Sequence, residues 1–131
     1  MSSDEPKFLS LAEVLYLHDE SLRRYGGSAG VREPGLVESA LASAQNAFWL
    51  GRGGLFEIAA AYAFHIAQSQ AFVDGNKRTA VASAISFLRK NGIRFPKEDG
   101  SVHRAMIEIA QKELDKTGLA AVLRQLAEEQ I

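Results

Sequence analysis

Asp74, Gly75, Asn76, Lys77 and Arg78 occupy consecutive positions within the stretch QAFVDGNKRTA, residues 70–80. An acid, a flexible residue, an amide and two cations this close together can hold an anion. If a helix begins at Gly75 or Asn76, its first amides have no partners within the helix. The helix dipole adds partial positive charge at the same end, and the two effects together make an anion site. Gly75 lets the backbone approach a ligand closely. Asn76 can donate from its side chain, and Lys77 and Arg78 add two full charges about 100° apart around the helix. Asp74 is an odd companion for a bare anion, but it fits if a divalent cation bridges it to phosphate oxygens, as at Mg2+–nucleotide sites. Phe72 would anchor the loop in the core. A plainer reading stands beside this one: Asp74 is an N-cap, Gly75 a turn residue, and Lys77 and Arg78 a solvated first turn. Against it, a cationic first turn opposes the helix dipole and asks for an offsetting negative charge.

The elements that must position this loop are helical. Ser10 and Glu13 have the spacing of a capping box. Leu11, Val14, Leu15, His18, Leu22 and Tyr25 then recur at helical spacing until Gly26-Gly27 ends the segment. Residues 26–33 read as a loop. Pro34 suits the first turn of a second helix, with Leu36, Val37, Ala40, Leu41 and Ala44 on one apolar face, and Gly51, Gly53 and Gly54 break the chain again. Residues 55–67 and 79–88 are apolar on nearly every side, as expected of helices buried all round. The charged loop joins them, and Asn91-Gly92 caps the second. Ile93–Phe95 reads as a short extended stretch and residues 96–100 as a loop. A helix over 102–114 would carry Met106, Ile109 and Ala110 on one face. Thr117 can cap a last helix with Leu119, Val122, Leu123 and Leu126 inward. The expected class is all-α: one domain over residues 1–131, a compact helical bundle whose central buried hairpin carries the loop.

Composition narrows the function. The chain has 131 residues, 47% of them hydrophobic, enough for one sizeable core. A net charge of −1 argues against direct nucleic-acid binding or membrane-surface attachment. With no cysteine, disulfides and thiolate metal sites are excluded. The polar, acidic start lacks the regions of a signal peptide, and no stretch approaches the ~18 apolar residues of a membrane span. A cytoplasmic protein is expected.

The stretch FVDGNKRTA resembles the signature loop of the Doc (death-on-curing) toxins, within the wider Fic/Doc, or Fido, superfamily. The flanking stretches LSLAEVLYLHDESLRRYGGSAGVREPGLVESALASAQ and AVASAISFLRKNGIRF are similar to the same family, so the resemblance covers roughly residues 8–126. It implies a Fido-type bundle. Fic proteins transfer the nucleotidyl part of ATP to protein hydroxyls. Doc toxins transfer phosphate from ATP to a threonine of elongation factor Tu and are neutralised by an antitoxin. Lys77 stands where Fic proteins carry a second loop glycine, and Val81 where they carry a second arginine, so the chain resembles the Doc branch. The resemblance makes Phe72 the loop anchor, Asp74 the Mg2+ ligand, Gly75, Asn76 and Lys77 the ATP-phosphate turn, and Arg78 a phosphate contact.

One position departs from the pattern. The family's loop opens with a histidine that takes the proton from the attacking hydroxyl. Here that position is Gln70, followed by Ala71 in place of the usual proline. Glutamine accepts no proton near neutral pH, and losing a general base costs about 10²–10⁴ in rate. The departure has three readings: natural loss of the base, its removal by engineering, or another residue taking over. His65, five residues upstream, is the nearest substitute, although a core histidine is the plainer reading. His18 reads as structural and His103 as a surface residue. Phe48 and Trp49 could cover the site, bind a partner or pack at the core edge. The expected protein is therefore a Doc-like phosphotransferase toxin with impaired transfer. The alternatives are a non-catalytic nucleotide- or antitoxin-binding protein, or an adenylyltransferase.

Overall fold

Six α-helices build the fold, seen in a computed structural model that describes residues 5–51 and 53–129: α1 (Leu11–Tyr25), α2 (Pro34–Trp49), α3 (Leu55–Ser69), α4 (Asn76–Lys90), α5 (Ser101–Ala110) and α6 (Lys116–Glu128). The first four residues of the polar N-terminal stretch lie outside the described residues. No strand forms among the described residues; a single antiparallel bridge joins Val31 and Phe72. The class is all-α, as the patterning requires.

α3 sits at the centre. It packs most extensively on α4, then on α2 and α6. Residues 58–63 and Ile66 are buried. Its run of alanines lets neighbours approach closely, and Tyr62 fills the space between them. The Tyr62 hydroxyl accepts the Leu9 amide at 3.0 Å, and burial pushes its pKa up to about 12. α1 lies antiparallel along α4. At one end Glu13 pairs with Lys90 at 2.8 Å, and at the other Ser21 and Gly26 meet Arg78. The capping box at Ser10 is complete, with both reciprocal bonds made.

Several expectations change. α5 ends at Ala110 rather than Leu114. Lys112 adopts the left-handed conformation at φ 63, and the amides of Glu113 and Lys112 return to the carbonyls of Glu108 and Ile109. This is a Schellman closure without glycine, and it leaves Ala110 exposed rather than inward. α6 is capped by Asp115, whose carboxylate accepts the Gly118 amide at 2.8 Å, and Thr117 falls inside the helix. Ile93–Phe95 lies outside the helices, in keeping with a short extended stretch; it makes no β-pairing among the described residues, and Arg89 donates to the Phe95 carbonyl. Leu36 and Tyr25 are exposed, not inward. Phe48 and Trp49 cluster with Phe8, which stacks on Phe87 in the C-terminal half of α4, so they pack away from the charged loop.

Candidate functional site: the turn between α3 and α4

The loop begins where α3 stops. Gln70 is the C-cap, in the left-handed conformation at φ 51, ψ 36. Its exposed side chain turns back, and the Nε2 group donates to the Ala67 carbonyl at 2.8 Å. The α1–α2 connection then supports the chain. The amides of Arg32 and Glu33 both donate to the Ala71 carbonyl, and the Val73 amide donates to that of Gly30. Phe72 is buried, as its anchoring position implies, and its ring stacks on His18 at 3.8 Å with the planes 13° apart.

His18 does more than fill the core. Its Nε2 lies 2.8 Å from the Asp74 carbonyl oxygen. That oxygen has no proton to give, so Nε2 carries the hydrogen. Asn76 closes the loop on itself: its side chain accepts the Phe72 amide at 3.1 Å and donates to the Phe72 carbonyl at 3.0 Å. These two bonds give the Asn76 side chain a loop-closing role and use one of its two Nδ2 hydrogens, which leaves the second free to donate.

Gly75 is the N-cap of α4 at φ 79, a conformation that favours glycine. A Cβ there would lie 3.4 Å from Arg78 Nη2, 3.4 Å from Ser21 Oγ and 3.6 Å from the His18 ring, so three side chains converge on this turn. Asp74 is not the N-cap. Its exposed carboxylate accepts the Ser28 amide at 3.2 Å and the Gly75 amide at 2.9 Å. These two amides, Ser28 foremost, hold the carboxyl below its usual range, with smaller help from Arg78. A Cβ on Gly27, at φ 116, would fall 2.7 Å from Asp74 Oδ2, so that approach requires glycine.

The first amides of α4, those of Asn76, Lys77 and Arg78, find no acceptor among the described residues. Lys77 is exposed and makes no ion pair there. Arg78 is held: Nε donates to Ser21 Oγ at 2.9 Å, Nη2 donates to the Gly26 carbonyl at 3.1 Å, and the guanidinium lies 5.5 Å from the centre of the Tyr25 ring. No group of three potential metal-ligating side chains occurs among the described residues. A lone ionised carboxylate with lone pairs to spare suits a Mg2+ ion that takes the rest of its shell from phosphate and water.

His65 points elsewhere. Its Nε2 lies 3.1 Å from Lys116 Nζ on α6. Burial, then the Lys116 charge, pushes its pKa down. The ammonium can only donate, so this nitrogen is a committed acceptor. His103 is exposed, as expected.

Reading the chain for chemistry missed three supports of the loop: His18 as a donor to it, Ser21, and the Ser28 amide. The first two had a signal. With Val14, they are the buried residues of α1, and polar residues at core positions of an amphipathic helix need partners. The amide had none, because any residue type supplies one.

The Fic/DOC family model matches residues 8–88, from before α1 nearly to the end of α4. The chain is 33% identical over 121 residues to a protein named protein kinase doc from Escherichia phage P1, an alignment covering 92% of this chain and 95% of that protein. It is 38% identical over 104 residues to a protein named toxin Doc from Mycolicibacterium smegmatis, covering 76% and 79%. The family match spans both the loop and the α1 wall that holds it, and the chain accordingly belongs to the Fic/DOC family.

Proposed function

We propose that this chain is a Doc-like toxin whose α3–α4 turn binds ATP with Mg2+, and whose transfer of the γ-phosphate to a threonine of elongation factor Tu is limited by Gln70. The observation that carries the reading is the helix N-terminus at Gly75: three amides without partners among the described residues, beside an ionised Asp74 and a clamped Arg78. The names of the two relatives, one a kinase and one a toxin, agree with it.

In this reading the amides of Asn76 to Arg78, with Lys77 and Arg78, bind the phosphates, and Asp74 holds Mg2+, which offsets phosphate charge when bound. The threonine oxygen bonds to the γ-phosphorus as the bond to the ADP oxygen breaks, and the hydroxyl proton must leave. Gln70 can orient that hydroxyl but cannot take the proton. An antitoxin neutralises the protein in the cytoplasm. Adenylyl transfer is disfavoured by Lys77 at the Fic glycine position.

A second reading is favoured by Gln70 itself. Its amide is occupied with the Ala67 carbonyl and leaves the loop without a base, as suits a protein that binds nucleotide or antitoxin without transfer. The test has two parts. Calorimetry of ATP with Mg2+ should show binding that Lys77→Ala weakens; equal affinity in both proteins, or binding in neither, refutes the anion turn. Labelled-ATP transfer onto elongation factor Tu then separates the two readings.

A further inference from the structure

We propose that Ser21, on α1, is a positioning residue for Arg78 and sets the affinity of the turn for nucleotide. The inference rests on the reading of Arg78 as a phosphate contact. An arginine free to rotate must lose side-chain freedom when it binds, and that loss subtracts from affinity. Arg78 has already lost it. Nε is taken by Ser21 and one hydrogen of Nη2 by the Gly26 carbonyl, which leaves three of the five guanidinium N–H groups uncommitted.

The two acceptors differ in kind. The Gly26 carbonyl belongs to the backbone at the C-cap of α1 and is present whatever the side chain. Ser21 is a side-chain choice: it is 6% exposed, a position where an apolar residue would be ordinary. Its oxygen lies where a Gly75 Cβ would be only 3.4 Å away, against the turn itself. Without the hydroxyl, Nε would face a buried apolar group unpaired. Arg78 would then have to leave its place above Tyr25 or sit there unsatisfied.

The experiment uses the full chain. The Arg78 Nε–Hε resonance should be visible and slow to exchange with water in the parent, and lost or rapidly exchanging in Ser21→Ala. By calorimetry with ATP and Mg2+, Ser21→Ala should weaken binding roughly 10-fold, the scale of a hydrogen bond to a charged group. Ser21→Thr, which keeps the hydroxyl, should restore both signals, and Ser21→Ala should cost nothing further in an Arg78→Ala background. Unchanged ATP affinity in Ser21→Ala, when Arg78→Ala does weaken binding, would overturn the inference. An equal loss in Ser21→Thr, or an undiminished loss in the Arg78→Ala background, would assign Ser21 to packing and overturn it too. If Arg78→Ala leaves ATP binding intact, the phosphate role of Arg78 is wrong and the inference falls with it, even where the resonance shows the clamp in place.

Discussion

In the proposed function Gln70→His supplies the base that the loop lacks, and the backbone at position 70 can accept it. Position 70 is left-handed at φ 51, a region where histidine is enriched among non-glycine residues. The contact given up is a single exposed hydrogen bond, from Nε2 to the Ala67 carbonyl, which contributes about 0.5–1.5 kcal/mol at most. The thermal midpoint should therefore move little. The barrier to transfer should change far more, because a general base supplies about 10²–10⁴ in rate, roughly 3–5 kcal/mol. The assay is phosphate transfer from labelled ATP to elongation factor Tu, with both proteins at equal concentration. Gln70→Gly serves as a control: relief of the left-handed backbone, about 1 kcal/mol, is offset by loss of the same hydrogen bond to Ala67, so stability should change little, and with no base supplied transfer should stay low. A rate in Gln70→His no higher than in the parent, in a folded protein that still binds ATP, would refute the argument that only the base is missing. A parent already as fast as the histidine variant would refute the assignment of the base to position 70.

Other expectations follow from the same contacts. Asn76→Ala removes both bonds to Phe72, so denaturant unfolding should show a loss of about 1–3 kcal/mol; an unchanged midpoint would mean that the loop closes without them. Gly27→Ala forces a Cβ to within 2.7 Å of Asp74 Oδ2 and should weaken the Mg2+-dependent part of ATP binding while sparing phosphate binding without metal; titrations with and without Mg2+ decide this. His65 has a folded pKa below its ordinary 6.5, so the unfolded chain binds the proton more readily. Its contribution to stability is complete above that value and is lost as pH falls below it. Melting profiles between pH 7.5 and 5 should therefore slope less in His65→Gln than in the parent, and parallel profiles would contradict the burial argument.

How much was legible depends on whether local chemistry or tertiary contact decides a feature. α3 and α4 could be read because they are apolar all round, and Ser10 because a capping box is complete within four residues. The end of α5 could not. Lys112 takes the left-handed position that glycine usually marks, and nothing local announces it. Asp115 and Thr117 are both competent caps two residues apart; the choice of Asp115 starts the helix at Lys116 and puts Leu119 and Leu123 in the core. Asn76 shows the same limit inside the site. Its type suggested donation to an anion, but nothing local announced that the same amide also closes the loop on the Phe72 backbone.

The cationic first turn of α4 carries a lesson about charge. Lys77 and Arg78 sit at the positive end of a helix dipole, which suggests a missing anion. The fold supplies part of the offset itself. Because α1 runs antiparallel to α4, the carbonyl end of α1 meets the amide end of α4, and the Gly26 carbonyl takes the Arg78 guanidinium directly. The ionised Asp74 adjoins the same turn through the Gly75 amide. Arg78 is therefore compensated without a ligand, and charge balance alone does not demand one. The amides of Asn76 to Arg78, which have no partner among the described residues, and exposed Lys77 remain uncompensated; with the uncommitted N–H groups of Arg78 they are the groups that a phosphate would meet in the proposed function. Position 70, where the proposed function places the missing base, is kept apart from all of this. Gln70 bonds only within its own helix end, whereas Asp74 and Arg78 are tied to α1 and the segment that follows it. A side-chain change at position 70 thus touches none of the contacts that build the turn, so the proposed function allows binding to persist where transfer is impaired.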